Sequence, residues 1–256
     1  MRRIVSRKKQ TVIAALVNVC HRMYAKGYVA ATDGNVSVRL RNGNVLTTRT
    51  GVNKGLVKPA DIVEINPEGI PLAGAAHPST EIGMHLFIYG KRPDIGAVVH
   101  AHPPFATGFA TAREALDGCV FPEVIVGVGG IPLAPYATPS TAEVAASIAP
   151  YVGGTEAILL ANHGVVTYGR DVVTAYFLLE KVEQTACITF VARMLGGEKR
   201  LTAAEVEKLG AISMKSYGKD FSSKFRGRTA GPDREMTEAE IRAYIDEQLT
   251  ARGLKQ

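Results

Sequence analysis

The sequence predicts an α/β protein organised as a single large domain. Short apolar or alternating runs of strand length take turns with longer segments of helical period along most of the chain. A chain of 256 residues can also bury one sizeable core. A composition break sets the far boundary. Near residue 218 the sequence turns polar and glycine-rich, in GKDFSSKFRGRTAGPDRE, ahead of a capping-box helix over 237–253. The expected organisation is therefore a domain over 1–217 and a polar linker with a C-terminal helix over 218–256.

The elements follow in order. Residues 10–26 carry Val12, Ile13, Leu16, Val17 and Met23 at helical spacing, with Gly27 as the stop. NVSVRLRNGNVLTT alternates through Val36, Val38 and Leu40, turns at Asn42-Gly43 and returns, which predicts a hairpin. DIVEINPEGIPL predicts a strand and turn, and STEIGMHLFIYG a helix with a capping start. DIGAVVHAH reads as a short buried strand and FATGFATA as a helix. EVIVGVGGIPLAPY predicts a strand and then a loop. TAEVAASIAPYV predicts a helix, and EAILLANHGVVTYG two strands around a glycine. The longest helix is predicted over 171–195, with Ala175, Leu178, Val182, Ala186 and Phe190 on its core face. TAAEVEKLGAI adds a further short helix.

Composition excludes several classes. No apolar run approaches the roughly 20 residues that a membrane span needs. The first apolar stretch runs into HRMYAKG without a small-residue cleavage site, so the expectation is a cytoplasmic protein rather than an exported one. The net charge is +6, but Arg2, Arg3, Arg7, Lys8 and Lys9 alone supply five of those charges. The remainder is close to neutral, with no basic face of the kind a nucleic-acid surface requires. Cys20, Cys119 and Cys187 are unclustered, which fits buried thiols rather than a disulfide framework or a metal knuckle.

Chemistry concentrates in a few motifs. In VVHAHPP, two histidines stand two residues apart, the spacing that puts strand side chains on one face. His100 and His102 could thus offer two nitrogens to a divalent metal, or be an ordinary pair of core histidines. His163, in LLANHGVV, occupies the same setting at the end of an apolar strand. Three histidines with an acid nearby make the open site of a catalytic metal, where substrate takes the remaining position. The acid is Glu81, in PSTE, at a helix start that also holds Ser79 and Thr80. Such a start favours a bound anion such as phosphate, although Ser79 could equally be a plain cap. Thr32, Gly34 and Asn35 in ATDGN, and Thr50 and Gly51 in TTRTGVNKG with Lys54 as an accompanying charge, suit the same oxygen-rich phosphorylated ligand.

GNVSVR, TRTGV, PSTE, AVVHAHPP, IPLAPYAT and ANHGVV, in this order, resemble the class II aldolases of the fuculose-phosphate aldolase type, within the aldolase/adducin superfamily. The resemblance spans residues 10–217, and its intervals match: 19 residues from Glu81 to His100 and 61 from His102 to His163. It implies a central, mainly antiparallel sheet between helix layers and a homotetramer with active sites between subunits. It further implies that His100, His102 and His163 hold zinc, with manganese or cobalt as alternatives, and that Glu81 is the acid/base. Thr32, Asn35, Thr50, Gly51, Ser79 and Thr80 would line the phosphate site. Tyr217, in MKSYGKD, matches a carboxy-terminal tyrosine that donates a proton in a neighbouring subunit's site.

The implied reaction is reversible cleavage of a ketose 1-phosphate, like L-fuculose 1-phosphate, to dihydroxyacetone phosphate and an aldehyde. A metal would act as Lewis acid on the enediolate charge. Related lyases, a methylthioribulose-phosphate dehydratase or a decarboxylase, share the three histidines and the glutamate. A ribulose-phosphate 4-epimerase carries aspartate where this chain has Glu81, and adducin-like heads, which are interaction domains, lack the metal ligands. One departure stands out: a second tyrosine of the fuculose-phosphate enzyme falls at Phe121, which can neither donate a proton nor bond to a sugar hydroxyl. Specificity on the aldehyde side is open at that position.

Overall fold

The computed structural model describes residues 2–74, 76–218 and 221–225, together with Thr229, Arg242 and Ala243. Apart from a helical pair at 242–243, the helix expected over 237–253 lies outside the described residues.

The hairpin forms as its Asn42-Gly43 turn demands, with β1 (Asn35–Arg39) antiparallel to β2 (Val45–Thr48). β3 (Ile62–Ile65), β4 (Ala97–Ala101), the two-residue β5 (Leu133–Ala134), β6 (Ala157–Leu160) and β7 (Gly164–Gly169) complete one sheet. Its order is β3-β2-β1-β4-β7-β6-β5. Each neighbouring pair is antiparallel except β5 with β6. The expected α/β domain with a mainly antiparallel sheet is what forms.

Strand alternation divides the core into two layers. Val99, Leu159 and Val165 face one side, with Leu16 and Met23 of α1 (Arg2–Ala25), Ala106 and Phe109 of α3 (Pro104–Thr111), and Leu179 and Val182 of α6 (Val172–Met194). Val98, Ile158 and Val166 face the other, with Met84 and Ile88 of α2 (Ile82–Lys91) and Ile148 of α5 (Ala142–Val152). By the same alternation His100 falls on the α2 side of the sheet, level with Val98. That places it within reach of the start of α2.

The structure corrects the sequence reading in four places. Residues 122–127 form a helix, α4 (Pro122–Gly127), not a strand. Pro122 in its first turn and Glu123 beside it are helix-start residues; Val124 and Val128 join the main core, and Ile125 packs with Val206 and Phe225. Phe190 is not in the core. The buried stripe of α6 runs through Ala175, Leu178, Val182, Ala186 and then Thr189, so Phe190 lies half-exposed one step round, its ring against Phe105. The last described helix, α7 (Ala203–Tyr217), is longer than expected, held by a Thr202–Glu205 capping box and stopped by left-handed Gly218. α1 begins at Arg2, well before residue 10.

Beyond α7, Phe225 is fully buried against Cys119, Ile125 and Val206. Phe221 and Phe225 therefore pack on the domain. Cys20 and Cys119 are buried free thiols, and Cys187 is half-buried.

Candidate active site

β4 carries His100 between two partners, with Asn35 of β1 opposite it on one side and Val166 of β7 on the other. The strand ends at Ala101, so His102 lies just outside it, its backbone N–H bonded to the Tyr28 carbonyl at 2.9 Å. His163 sits in the reversal between β6 and β7, after Asn162 in a left-handed conformation (φ 55°). Two glycines make room for this crowding. A Cβ on Gly164 would come within 2.5 Å of the Ala101 carbonyl oxygen and 2.6 Å of the His102 ring. One on Gly34 would lie 2.8 Å from the His100 carbonyl oxygen, at a φ of +69°.

The three imidazoles converge. Ring centroids lie 5.0 Å apart for His100 and His102, 4.7 Å for His100 and His163, and 5.2 Å for His102 and His163. Glu81 completes the cluster. Its Oε1 is 3.1 Å from His163 Nε2, and its Oε2 is 3.4 Å from His100 Nε2. Oε2 also accepts a 2.8 Å hydrogen bond from Asn35 Nδ2. Glu81 occupies the N-cap position of α2, yet its side chain makes no capping bond. The carboxylate turns to the histidines instead.

The electrostatics suit a neutral nitrogen donor set. Burial pushes His100 well below the ordinary histidine range, against the pull of Glu81, and burial likewise lowers His102. Burial raises the Glu81 carboxyl, but His100, His163 and Asn35 together outweigh it and keep the group ionised. His100 Nδ1 lies 2.9 Å from the Val165 carbonyl, to which it donates, so its Nε2 lone pair points into the cluster, 3.1 Å from His102 Nε2. One ligand atom from each of His100, His102 and His163 lies within 4.8 Å of the others. Three convergent imidazoles, one with its tautomer fixed by a backbone carbonyl, and a carboxylate alongside fit a divalent ion with positions left for substrate.

The hydroxyl-bearing turns gather beside this cluster. The chain after β2 pairs with 77–79, Thr50 N–H donating to the His77 carbonyl at 3.1 Å and Ser79 N–H to the Thr48 carbonyl at 3.2 Å. Thr50 and Gly51 are thereby brought near Ser79 and Thr80. Thr32 is tied to the same region by Lys54, whose Nζ donates to its carbonyl at 2.9 Å. Asn35 is buried and engaged by Glu81. Tyr217 is the last residue of α7, which packs on α4.

Two features escaped the sequence reading. Asp33 Oδ2 lies 3.6 Å from His102 Nδ1 and sets a negative charge beside that ring, a placement that an aspartate in a TDGN turn does not announce. Behind Glu81, Ser37 Oγ lies 2.7 Å from His85 Nδ1 and 2.8 Å from the Tyr89 hydroxyl. The spacing of His85 four residues after Glu81, one helical turn, was the available signal.

The model of the class II aldolase and adducin N-terminal domain matches residues 14–190. The chain belongs to this family. Among class II aldolase relatives, a 3-oxo-tetronate 4-phosphate decarboxylase of Escherichia coli O6:H1 is 32% identical over 208 residues, covering 78% of this chain and 96% of the relative. A 5-methylthioribulose-1-phosphate/5-deoxyribulose-1-phosphate aldolase of Rhodospirillum rubrum is 33% identical over 203 residues, covering 79% and 90%. The solved structure of an L-fuculose 1-phosphate aldolase superposes with a TM-score of 0.73 at 32% identity, covering 79% of this chain and 95% of that one. Class II aldolases are divalent-metal-dependent lyases, and this chain is a family enzyme with the histidine triad in place. Among the described residues no helix is long and apolar enough to cross a membrane.

Proposed function

We propose that this class II aldolase cleaves a ketose 1-phosphate reversibly to dihydroxyacetone phosphate and an aldehyde, with zinc held by His100, His102 and His163. The observation that carries the reading is the Glu81 carboxylate within 3.1 Å of His163 and 3.4 Å of His100, free of any capping duty. When bound, the metal supplies Lewis-acid stabilisation of negative charge on substrate oxygens. Glu81 returns a proton to carbon during cleavage and removes it during condensation, a transfer worth ~100-fold or more. Asn35 holds the carboxylate in place through Oε2. Thr32, Asn35, Thr50, Gly51, Ser79 and Thr80 bind the phosphate, supported by the pairing of the chain after β2 with 77–79. Tyr217 delivers a proton to the aldehyde oxygen in the site of a neighbouring copy, within a cytoplasmic homotetramer.

Phe121 bears on the aldehyde. It is half-buried at the start of α4, where a tyrosine hydroxyl of the fuculose-phosphate enzyme is replaced by carbon. An aldehyde with fewer hydroxyls fits better, consistent with a relative named for 5-deoxyribulose 1-phosphate. A second reading, decarboxylation of a 3-oxo acid phosphate, is favoured by the similarity to decarboxylases and needs the same charge stabilisation beside a phosphate. The test is a panel of ketose 1-phosphates and 3-oxo acid phosphates, with triose phosphate, aldehyde and carbon dioxide all quantified. Equimolar triose phosphate and aldehyde supports the aldolase reading. Carbon dioxide release without aldehyde replaces it with the decarboxylase reading.

A further inference from the structure

Lys54 is one of the most deeply buried side chains of the protein, 1% exposed. Its Nζ donates to two backbone carbonyls, Val52 at 2.8 Å and Thr32 at 2.9 Å. Among the described residues it touches no carboxylate, and its third N–H has no partner. A buried ammonium without a counter-ion is a costly arrangement, since neutral carbonyls replace only part of its lost hydration. The two carbonyls belong to the turns that carry Thr32 and, on the other side, Thr50 and Gly51. Lys54 therefore joins these turns from behind and sets a positive charge beneath them.

We propose that Lys54 is a specificity-determining residue, whose buried charge makes the site select a dianionic phosphate ligand over its uncharged counterpart. The proposal rests on the phosphate assignment above. The ligand's phosphoryl group then serves as the counter-ion of Lys54, adding to the more distant pull of Asp33 and Glu81. Burial holds the ammonium below the ordinary lysine range, while Cys20, Asp33 and Glu81 pull it up. A phosphate over the Thr32 and Thr50 turns adds to that pull and keeps the group charged. A field of this kind acts without contact, because at several ångströms in a low-dielectric interior unit charges still interact strongly.

The experiment uses full-length, metal-loaded protein as wild type, Lys54→Gln, Lys54→Met and Lys54→Arg. Folding is checked by circular dichroism and metal content by elemental analysis. Inorganic phosphate binding is measured by calorimetry, and kcat and KM on a cleaved ketose 1-phosphate and its dephosphorylated form. Lys54→Gln or Lys54→Met should weaken inorganic phosphate binding about tenfold or more. KM for the phosphorylated substrate should rise, kcat should change far less, and metal content should hold. The preference for the phosphorylated over the dephosphorylated ketose should narrow by a similar factor. A folded neutral variant that binds inorganic phosphate as tightly as wild type overturns the role of Lys54 and leaves the phosphate site standing. Wild type that fails to bind inorganic phosphate overturns both readings. If neither neutral variant folds, Lys54→Arg decides: retained phosphate preference supports the charge, and a folded Lys54→Arg protein without that preference overturns it.

Discussion

The end of the sheet that carries the histidines and the layer formed by α4, α7 and Phe225 are built on different principles. At the histidine end, each functional side chain is fixed by local backbone requirements. Gly34 and Gly164 stand where a Cβ would strike the chain around His100 and His102, and Asn162 takes the left-handed turn that presents His163. In the α4–α7 layer nothing polar converges in this way. Ile125, Val206 and Phe225 form a small apolar cluster with Cys119, and the buried Ser213 of α7 ties the helices by donating to the Val126 carbonyl at 2.6 Å. The first region specifies where particular side chains stand, and the second depends mainly on apolar area being covered.

This difference predicts which region each kind of damage affects. The largest effect should come from Glu81→Gln, which keeps shape but cannot accept a proton. Turnover should fall by ~100-fold or more while bound metal stays intact, measured by steady-state rates and elemental analysis. Near-normal turnover would return Glu81 to the role of a helix-start residue.

Tyr217→Phe should lower condensation by a comparable ~100-fold and leave metal binding and assembly unchanged. Co-expressed with Glu81→Gln, it should yield mixed oligomers more active than the sum of the two parents. Demonstrably mixed oligomers without that recovery place the function of Tyr217 within its own chain, or remove it. This experiment also sharpens the contrast, because it asks whether the α7 end contributes chemistry through a neighbour.

Phe225→Ala should act on stability instead. Removing a fully buried phenyl ring costs about 3–5 kcal/mol, read from denaturant midpoints. Metal affinity should be untouched. A variant with wild-type stability would mean the tail does not close this layer.

These contrasts explain what was legible in the sequence. The convergence of the three histidines could be read because His100 and His102 stand two apart at a strand end and His163 has the same setting, in motifs that resemble the family's. The strands around them followed from period-2 runs such as AVVHA and GVVTYG. Residues 122–127 could not be read the same way. Val124, Ile125 and Val126 have strand-like side chains, and the helix-start residues Pro122 and Glu123 together with packing of the segment against α7 make it a helix. Phe190 misled because a pattern drawn at every fourth residue drifts off the inward face of a 23-residue helix. Asp33 and Lys54 were understated because their roles depend on groups distant in sequence, His102 and Thr32.

The smallest expected effect concerns pH. His85 is fully buried behind Glu81, and burial pushes its imidazole down to about 4 from an ordinary 6.5, against the pull of Glu81. The unfolded chain takes up this proton near 6.5 and the folded chain only near 4. Between those values the unfolded state holds more protons, so stability falls as pH drops through the window, by up to about 3 kcal/mol from this group. Denaturant midpoints across that range should fall less steeply in His85→Gln than in wild type. Equal slopes would assign the acid sensitivity elsewhere.

The central claim is that three histidines and one carboxylate form a metal-dependent lyase site. Its most direct test is reconstitution of chelator-stripped protein with zinc, reading bound metal and ketose 1-phosphate cleavage in the same samples. The account predicts that activity is absent at the start and rises in proportion to bound zinc. It should level off at about one ion per chain, the number that one triad can hold. His102→Ala should lose occupancy and rate together. Full cleavage activity in metal-free protein, or zinc bound at full occupancy in His102→Ala, would contradict it.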